Sequence, residues 1–421
     1  MRRGQLSDYF DGIVVKRLTL VETVTEKSNQ HEFQGTKYLR QLFGDEDRRQ
    51  IPSRFIRIAD GEEAVSEKGF MSWSNVRKGK PRAPEYHLYY SGNSVTEAMQ
   101  IGDILFLAQE RSGNLLAVIA PGESTIVNQL HWLFGVDDLL CTTITYKEIE
   151  GGNSNELNFT ARYILDELGI ELPEPEAELL DRLVERFGLV FPKTRVFSDL
   201  ARASLPEVSA HDNPDQALVA WMDREEQMFR QLERRIVAKR INDGFNSNGH
   251  ADVDGFIAFS LSVQNRRKAR VGHALENHLE AIFKAHSIRY ARGAQTENRN
   301  KPDFLFPGQD EYRNFAYPAA DLTMLGAKST VKDRWRQVLS EADRIETKHL
   351  LTLEPAISEN QTNEMQARLL QLVVPTPLHQ TYKENQRAWI LGLEDFIDLA
   401  ADRQSNAFRH GWRMPPHPII R

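Results

Sequence analysis

One stretch decides the expected fold of the C-terminal half: Asn300-Lys301-Pro302-Asp303-Phe304-Leu305-Phe306-Pro307. A short apolar run bounded by prolines predicts a buried strand, with Asp303 at its start. The next apolar segment, Leu322 to Lys328, alternates with a period of two, so that Lys328 closes an apolar row. Taken alone, Asp303 is more often a turn residue. With Lys328, it predicts two neighbouring strands whose ends carry an acid and a lysine.

A third group follows the lysine strand. Apolar residues recur at helical spacing from Val331 to Thr347, which predicts a helix there. A step of about 100° per residue places Glu341 and Arg334 together on one flank of its apolar stripe. From that flank Glu341 can reach back towards the strand ends, although a solvated helix glutamate is an equally good interpretation. Many nucleases carry an acid two residues before the lysine, and here that position is Gly326.

Asp303, Lys328 and Glu341 are the groups that phosphodiester hydrolysis requires. Carboxylates hold hard cations, and a cation near the attacking water or the phosphate stabilises charge on the phosphoryl oxygens. Glu276 lies beside the apolar stripe of a predicted helix from Arg270 to His286, where it could be a further carboxylate or a solvated one. The sequence therefore predicts a metal-dependent nuclease site.

The tripeptide Lys332-Asp333-Arg334 has the groups to read adjacent cytosine and guanine edges in the major groove. Arginine can bond bidentately to guanine O6 and N7, and aspartate can accept from cytosine N4. Without the neighbouring acids and lysine, a charged first helical turn with local ion pairs would be the preferred interpretation. Because the predicted site lies directly beside it, we expect the tripeptide to contact DNA.

Charge distribution supports a DNA-binding face on an acidic body. The 421 residues are 40% hydrophobic and carry a net charge of −7, which argues mildly against coating nucleic acid by bulk charge. Basic residues nevertheless cluster, and each cluster could also be solvated surface. The candidate DNA contacts outside the tripeptide are Trp73, Asn75, Arg77, Lys78, Lys80, Arg82, Arg266, Arg267, Arg270 and Arg336. The first six lie on a predicted loop or hairpin from Phe70 to Arg82.

Three regions are expected along the chain. Residues 1–150 predict a mainly β domain, with strands at Gly12–Leu18, Phe55–Ile58, Tyr86–Tyr90, Asp103–Leu107, Leu115–Ile119 and Thr142–Tyr146 and short helices at Thr36–Phe43 and Val127–Leu133. Residues 151–190, with glycine- and proline-containing breaks, predict a linker with short helices. Residues 191–421 alternate helices and strands and predict an α/β domain with a mixed central sheet flanked by helices.

Composition excludes other classes of protein and site. No run of about 18 apolar residues predicts a membrane span, and Met1 to Tyr9 lacks the apolar core of a signal peptide, so we expect a cytoplasmic protein. Cys141 is the only cysteine, which excludes an internal disulfide and a cysteine-based zinc site. Any metal should be held by oxygen ligands.

The C-terminal half resembles the EcoRII-like type II restriction endonucleases of the PD-(D/E)XK nuclease superfamily. The resemblance covers about residues 190 to 400, and it is carried by Ser262 to Arg270, Ala274 to Glu280, Lys301 to Pro307 and Lys328 to Gln337 with Glu341. It implies Mg²⁺-dependent double-strand cleavage of DNA by a homodimer, with the second acid displaced to the following helix.

The same resemblance implies roles for single residues. Asp303 and Glu341 would hold metal, Lys328 would orient or activate water, Glu276 would be the additional carboxylate, and Tyr312 would be accessory. Lys332-Asp333-Arg334 matches the element with which such enzymes read CC and GG.

The N-terminal half resembles the effector domain of these enzymes, a DNA-binding pseudobarrel. The resemblance rests on Val14 to Leu18, Gln30-His31 and the helix Tyr38 to Phe43. It implies that a second copy of double-stranded DNA binds there and that the domain can occlude the active site until it does. The segment from Ser72 to Arg82 departs from the family's recognition loop, which leaves its base preference open.

These observations favour an effector-stimulated, type IIE-like restriction endonuclease that cuts a short C- and G-containing site related to CC(N)GG. Two alternatives remain. The first is a modification-dependent or repair nuclease, and the second is a DNA-binding regulator whose nuclease-like domain does not cut.

Overall fold

The computed structural model describes residues 9–23, 31–60, 62–136, 144–148, 164–165, 168–170, 178–247, 250–331 and 334–412. The chain divides into two compact units. The N-terminal unit is residues 1–171 together with Pro355–Ser358, and the C-terminal unit is residues 172–354 together with 359–421. Much of the predicted linker, 151–190, lies outside the described residues. No helix in the described part of the chain is long and apolar enough to cross a membrane.

The N-terminal unit is built on one sheet of eight strands. They are β1 (Phe10–Arg17), β2 (Glu32–Gln34), β3 (Arg48–Arg57), β4 (Val65–Asn75), β5 (Tyr86–Tyr90), β6 (Ile104–Glu110), β7 (Leu115–Ala120) and β8 (Ile144–Glu148). Their order is β2-β5-β4-β3-β7-β6-β1-β8, and all neighbours are antiparallel except β3 and β7. Phe55, Trp73, Leu88 and Leu107 lie fully buried in the core of this sheet. The predicted mainly β, pseudobarrel-type fold is confirmed.

Short helices accompany this sheet, and those that the described residues show in full are α1 (Leu20–Thr23), α2 (Lys37–Phe43), α3 (Ser94–Glu97) and α4 (Thr125–Phe134). Local chemistry sets the ends of α2. The Thr36 hydroxyl accepts from the Leu39 amide at 3.4 Å, and Gly44 ends the helix with φ of 76°. Strand β4 includes much of the segment predicted as a loop or hairpin. The sequence obscured it because residues 65–69, its first half, are mostly polar, charged or glycine and are partly or fully exposed.

The C-terminal unit begins with four helices: α5 (Glu178–Phe187), α6 (Thr194–Ala203), α7 (Pro214–Asp243) and α8 (Val253–Ala285). Leu183 of α5 and Phe197 of α6 pack with Met228, Phe229 and Leu232 of α7 in one apolar cluster. Helix α5, expected within the linker, therefore belongs to this core. A two-strand ribbon, β9 (Asn246–Ser247) and β10 (His250–Ala251), joins α7 to α8.

A five-stranded sheet forms the centre of the same unit. Its strands are β11 (Ala291–Arg292), β12 (Phe304–Phe306), β13 (Thr323–Lys328), β14 (Lys348–Thr352) and β15 (Leu370–Val373), adjacent in that order. The pairs β11–β12 and β12–β13 are antiparallel, whereas β13–β14 and β14–β15 are parallel. The predicted mixed sheet is confirmed.

The remaining helices surround this sheet. They are α9 (Gln309–Arg313), α10 (Trp335–Val338), α11 (Glu359–Ala367), α12 (Glu384–Arg387) and α13 (Leu393–Arg409), with 3-10 turns at Glu297–Arg299, Ala319–Asp321 and Thr376–Thr381. Phe283 of α8 and Phe396 of α13 both contact Phe306 of β12, with ring centroids 5.2 and 5.5 Å apart. Phe283 also contacts Phe304, the first residue of β12, with ring centroids 5.1 Å apart, so aromatic packing holds the strand that directly follows Asp303.

Two predicted helices differ in the structure. The helix expected from Val331 to Thr347 is wrong, because among the described residues of this range only Trp335–Val338 is α-helical and Ala342 adopts a left-handed φ of 51°. The apolar spacing from Asn385 to Ala401 likewise predicts one helix, and the structure divides this region into α12 and α13. In both cases the apolar spacing was helical, but local turns interrupt the hydrogen-bond ladder.

Candidate active site

Asp303 and Lys328 meet where two antiparallel strands run side by side. Asp303 directly precedes β12, and Lys328 is the last residue of β13. The Lys328 ammonium donates to Asp303 Oδ2 at 2.8 Å, and the Ala327 amide donates to the same oxygen at 2.7 Å. Both side chains stay partly accessible, at 16% for Asp303 and 24% for Lys328. The strands thus hold an acid and a lysine in one geometry that remains open to a substrate.

Glu341 lies in the same site, although it does not lie on a helix. Burial, and then the negative charge of Asp303, raise the pKa of Glu341 to about 7, while Lys328 and Lys348 act to lower it. Among the residues that the structure describes, the buried Oε2 of Glu341 has no hydrogen-bond partner. A buried carboxylate oxygen without a partner is costly, so this atom is suited to receive a cation or a proton.

The missing acid at Gly326 has a packing explanation. A Cβ atom built at Gly326 would meet Val338 Cγ2 at 3.1 Å and Cγ1 at 3.3 Å. Val338 of α10 therefore closes the position that carries an acid in many nucleases. The second carboxylate must come from elsewhere, and Glu341 is the one that the structure brings near Asp303.

The two carboxylates fit a hard divalent cation. The described residues contain no group of three or more His, Cys, Asp or Glu side chains arranged to hold a metal ion. Mg²⁺ is commonly bound through only one or two carboxylates, because it keeps several waters and takes further oxygens from phosphate. Asp303 and the unpartnered oxygen of Glu341 supply that minimal set.

Glu276 is engaged differently from the expectation. Its Oε2 accepts from Arg292 Nε at 3.0 Å and Nη2 at 2.7 Å, so its charge is paired within the protein. Arg292 lies on β11 opposite Phe304, the residue after Asp303. Through Arg292, Glu276 is linked to the strand that pairs with β12. Because its carboxylate already binds Arg292, Glu276 does not have the free carboxylate that a further metal ligand requires.

Tyr312, expected to be accessory, is directed at the turn after Glu341. Its hydroxyl donates to Glu297 Oε2 at 2.5 Å and accepts from the Arg344 amide at 3.3 Å. Burial, together with the hydrogen bond to Glu297, raises the pKa of Tyr312, so the hydroxyl stays protonated. This geometry is that of a structural hydrogen bond.

The expected DNA-reading tripeptide is bracketed by buried residues. Lys332 and Asp333 lie outside the described residues. Arg334 is exposed, and its neighbours Val331 and Trp335 are both fully buried. The Val331 amide donates to the buried carboxylate of Glu354 at 2.5 Å. The chain is therefore anchored on each side of the tripeptide.

Glu354 was missed by the sequence reasoning. It follows the apolar strand β14, whose end lies beside the end of β13, as Lys328 pairs with Thr352. The signal that could have identified Glu354 is an acid directly after the apolar strand β14, at the sheet edge where β13 ends with Lys328. Arg336, by contrast, is paired with Glu364 at 2.9 Å and lies over the Trp335 ring.

Two arginines of the basic run on α8 pair with acids of α7. Arg270 is 6% exposed and forms ion pairs with Glu225 and Glu226 of α7. Arg267 pairs with Glu233 at 2.6 Å, and Arg266 lies over the ring of Phe191 at 4.3 Å. Arg270 does not fit the expected DNA contact, because α7 supplies its partners. Arg266 is exposed and Arg267 is partly exposed, so both remain accessible to DNA despite these contacts.

Trp73 also does not fit the expected DNA contact. Its side chain is fully buried, its indole nitrogen donates to Gly44 O at 3.0 Å, and its ring stacks on Tyr86 with centroids 5.0 Å apart. Trp73 is a core residue because it lies on the inward face of β4. Aromatic character beside basic residues could not reveal which face it occupies.

The other candidates form the turn between β4 and β5. Asn75 Oδ1 accepts from the amides of Arg77, at 2.9 Å, and Glu85, at 3.3 Å, so Asn75 shapes the turn. Arg77 forms an ion pair with Glu85, and Lys78 forms one with Asp47. Lys80 and Arg82 are exposed on the same turn.

Comparison with known families bears on the C-terminal unit. Residues 229–397 match the family model described as EcoRII C terminal. This part of the chain is therefore similar to that family. The predicted resemblance to EcoRII-like type II restriction endonucleases is confirmed for this region, which contains Asp303, Lys328 and Glu341.

Two curated relatives extend this result. The chain is 44% identical over 186 residues to the type II restriction enzyme EcoRII of Escherichia coli, and the match covers 44% of this chain and 45% of EcoRII. It thus spans just under half of the length of that relative. The type II restriction enzyme SsoII of Shigella sonnei is 22% identical over 250 residues, which cover 53% of this chain and 79% of SsoII.

Among solved structures, metal-depleted Ecl18kI in complex with uncleaved, modified DNA aligns at a TM-score of 0.44 and 19% identity. The alignment covers 56% of this chain and 86% of the Ecl18kI chain.

Proposed function

We propose that this protein is a type II restriction endonuclease that cleaves both strands of DNA at a short C- and G-containing site. One observation carries the proposal: Asp303, Lys328 and Glu341 converge at one sheet edge, within the region that matches EcoRII C terminal. A scaffold that only bound DNA would gain nothing from a half-buried carboxylate with an unpartnered oxygen.

The geometry supports a division of roles among these residues. Mg²⁺, held by Asp303 and Glu341, would polarise the scissile phosphate and lower the pKa of a bound water. Lys328 is held by Asp303 with its ammonium partly exposed, so it can orient the attacking water or neutralise a phosphoryl oxygen. Burial around Glu341 excludes bulk water, which strengthens these interactions in the transition state.

Recognition is assigned to the segment beside the site. The side chains of Lys332, Asp333 and Arg334 have the chemistry to read C and G edges, as in a site related to CC(N)GG. Support comes from the anchoring of Val331 by Glu354 and from the burial of Trp335. A recognition element held this close to Lys328 couples base reading to cleavage.

The N-terminal unit is assigned to a second, effector copy of double-stranded DNA, with a homodimer as the working form. Lys80 and Arg82 are exposed on the β4–β5 turn, and Arg77 and Lys78 lie beside them. Phosphate contacts from such a turn would add affinity that falls steeply with salt. Stimulation of cleavage by a short DNA duplex added in trans would test this assignment.

The main experiment incubates the protein with Mg²⁺ or EDTA and with plasmid DNA that carries or lacks cytosine methylation, and maps the ends. Discrete Mg²⁺-dependent cuts on unmodified DNA support the proposal. Cuts only on methylated DNA indicate a modification-dependent nuclease, and binding without cuts indicates a regulator.

A matched pair of lysine variants tests the site itself. Lys328→Ala should abolish cleavage and spare DNA binding. Lys284→Ala, which removes a partly exposed lysine paired with Glu280 on α8, should cut like the wild type. Full cleavage by Lys328→Ala would refute the site assignment.

A further inference from the structure

The turn that carries Glu341 has little regular structure of its own. Helix α10 ends at Val338, and the Glu341 amide makes only a short-range bond to Val338 O at 3.1 Å. Ala342 is fully buried with a φ of 51°, a left-handed conformation that side chains other than glycine adopt uncommonly. The position of the Glu341 carboxylate therefore depends on what holds this turn from outside.

The segment Thr296–Asn300 provides two of the outside contacts. Asn300 Nδ2 donates to Ser340 O at 2.6 Å, and the Ala342 amide donates to Thr296 Oγ1 at 3.4 Å. These bonds contact the residues on either side of Glu341. They join parts of the chain that are about forty residues apart in sequence.

Glu297, in the same segment, links two further points of the turn. Its Oε2 accepts from the Asp343 amide at 3.2 Å and from the Tyr312 hydroxyl at 2.5 Å. Tyr312 in turn accepts from the Arg344 amide at 3.3 Å. Although partial burial acts to raise it, the hydrogen bonds from Tyr312 and Asp343 lower the pKa of Glu297. Glu297 is thus an ionised acceptor, the kind that forms the stronger hydrogen bonds.

Two strained backbone conformations in the segment Thr296–Asn300 indicate that neighbouring parts of the protein hold it in shape. Asn298 and Arg299 are consecutive left-handed residues, with φ of 54° and 63°. Such conformations persist only where the surroundings over-determine them, and they concentrate at functional sites. Here the surroundings are the hydrogen bonds just described. Asn298 and Arg299 lie on one side of the contact between this segment and the turn, and Ala342 lies on the other side. All three are left-handed residues other than glycine.

We propose that Glu297 is a positioning residue for Glu341. It holds the amide of Asp343 directly and that of Arg344 through Tyr312, so the turn presents the Glu341 carboxylate to Asp303. The effect on catalysis rests on the proposed nuclease function, whereas the effect on the turn does not. In this proposal Tyr312 is part of the hydrogen-bond network that holds the turn, a role that requires no contact with substrate.

The test compares Glu297→Ala, Glu297→Gln and the control Glu311→Ala. Alanine removes both acceptor bonds, whereas a glutamine oxygen at the position of Oε2 can still accept both, as a neutral acceptor. Glu311 is a carboxylate on α9 whose side chain pairs with Arg289, and its hydrogen bond from Arg344 uses the backbone oxygen, which alanine keeps. Thermal unfolding of each variant establishes that it is folded.

For Glu297→Ala we expect kcat for cleavage to fall by about 10- to 100-fold, the range for loss of a residue that supports a metal ligand. The KM for DNA should change by less than about two-fold, because recognition lies elsewhere. Glu297→Gln should recover most of the lost rate, and Glu311→Ala should match the wild type.

Amide hydrogen exchange of residues 340–345 gives a readout that is independent of cleavage. Exchange there should be at least about 10-fold faster in Glu297→Ala than in Glu311→Ala, because the turn loses its outside partners. Wild-type exchange in Glu297→Ala would overturn the proposal, as would equal exchange in both variants. If the wild type cuts no DNA, the nuclease function fails, and the exchange comparison still decides whether Glu297 holds the turn.

Discussion

Replacing Glu341 by glutamine should change how the stability of the C-terminal unit depends on pH. In the wild type, burial and the charge of Asp303 raise the pKa of Glu341 from 4.5 to about 7. Between these values the unfolded chain has lost its proton while the folded protein keeps it. The free energy of unfolding therefore falls as pH rises through this window, and the loss is complete above pH 7.

The size of the effect follows from the shift. A shift of this size corresponds to about 3 kcal/mol at most. Because the side chain of Glu341 is only partly buried, solvent screening reduces this to on the order of 1–3 kcal/mol. Glutamine has a similar shape and does not titrate. Glu341→Gln should thus match the wild type near pH 4 and exceed its stability by about 1–3 kcal/mol at pH 8.

Urea unfolding in EDTA, followed by tryptophan fluorescence from pH 4 to 8, measures this difference. Mg²⁺ should then stabilise the wild type at pH 8 and narrow the gap, because a ligand that binds only the folded state adds to its stability. The variant, which lacks one carboxylate, should respond less. Parallel pH curves for the two proteins would refute the assigned environment of Glu341. A Mg²⁺ response of equal size in both would refute its role as a ligand.

Three further outcomes are expected. Arg334→Ala should weaken specific DNA binding by about 1–3 kcal/mol, with little change for unrelated DNA, as measured by titration of labelled duplexes. Glu354→Ala should leave the buried Val331 amide without its acceptor, which costs about 1–3 kcal/mol in denaturant unfolding and should reduce the preference for the target over sites changed at one base. His349 is buried, and burial followed by the charge of Arg403 lowers its pKa to about 3. The unfolded chain takes up a proton below about pH 6.5 and the folded protein does not, so stability is present above that pH and is lost as pH falls. Compared with His349→Leu, the wild type should lose about 1.4 kcal/mol more per pH unit between pH 6 and 4, and equal slopes would contradict this.

Much of the local structure could be predicted because its causes are local. The period-two row that ends at Lys328 predicted a strand, and β13 ends at that residue. Helix α2 follows from an N-cap threonine and a terminal glycine that lie within one short segment. In each case the residues that decide the element are near neighbours in the chain.

The structural argument that selected Glu341 was wrong. Helix phase placed it on the flank of a helix that is not there, since α10 ends at Val338 and Ala342 turns the backbone. The structure nonetheless brings Glu341 near Asp303. Its catalytic role stays a prediction, and its position depends on the distant segment that contains Glu297.

Surface charge was the least predictable property. A basic run looks the same in sequence whether it faces DNA or a buried acid. The partners of Arg267 and Arg270 are Glu233 and Glu225, 34 and 45 residues away on another helix. No local pattern reports such a pairing, because it depends on how α7 and α8 pack together.

By itself the sequence determined the chemical groups, the strand that follows Asp303, the strand that ends at Lys328, and the division into a mainly β and an α/β part. Only the tertiary structure decided that Val338 closes the position at Gly326, that Glu276 pairs with Arg292, and that Glu341 lies near Asp303. The physical reason is the distance along the chain over which each interaction acts. Periodicity and capping act over a few residues, whereas the geometry of Asn300-Lys301-Pro302-Asp303 and its partners is set by hydrogen bonds and packing between segments far apart in the chain.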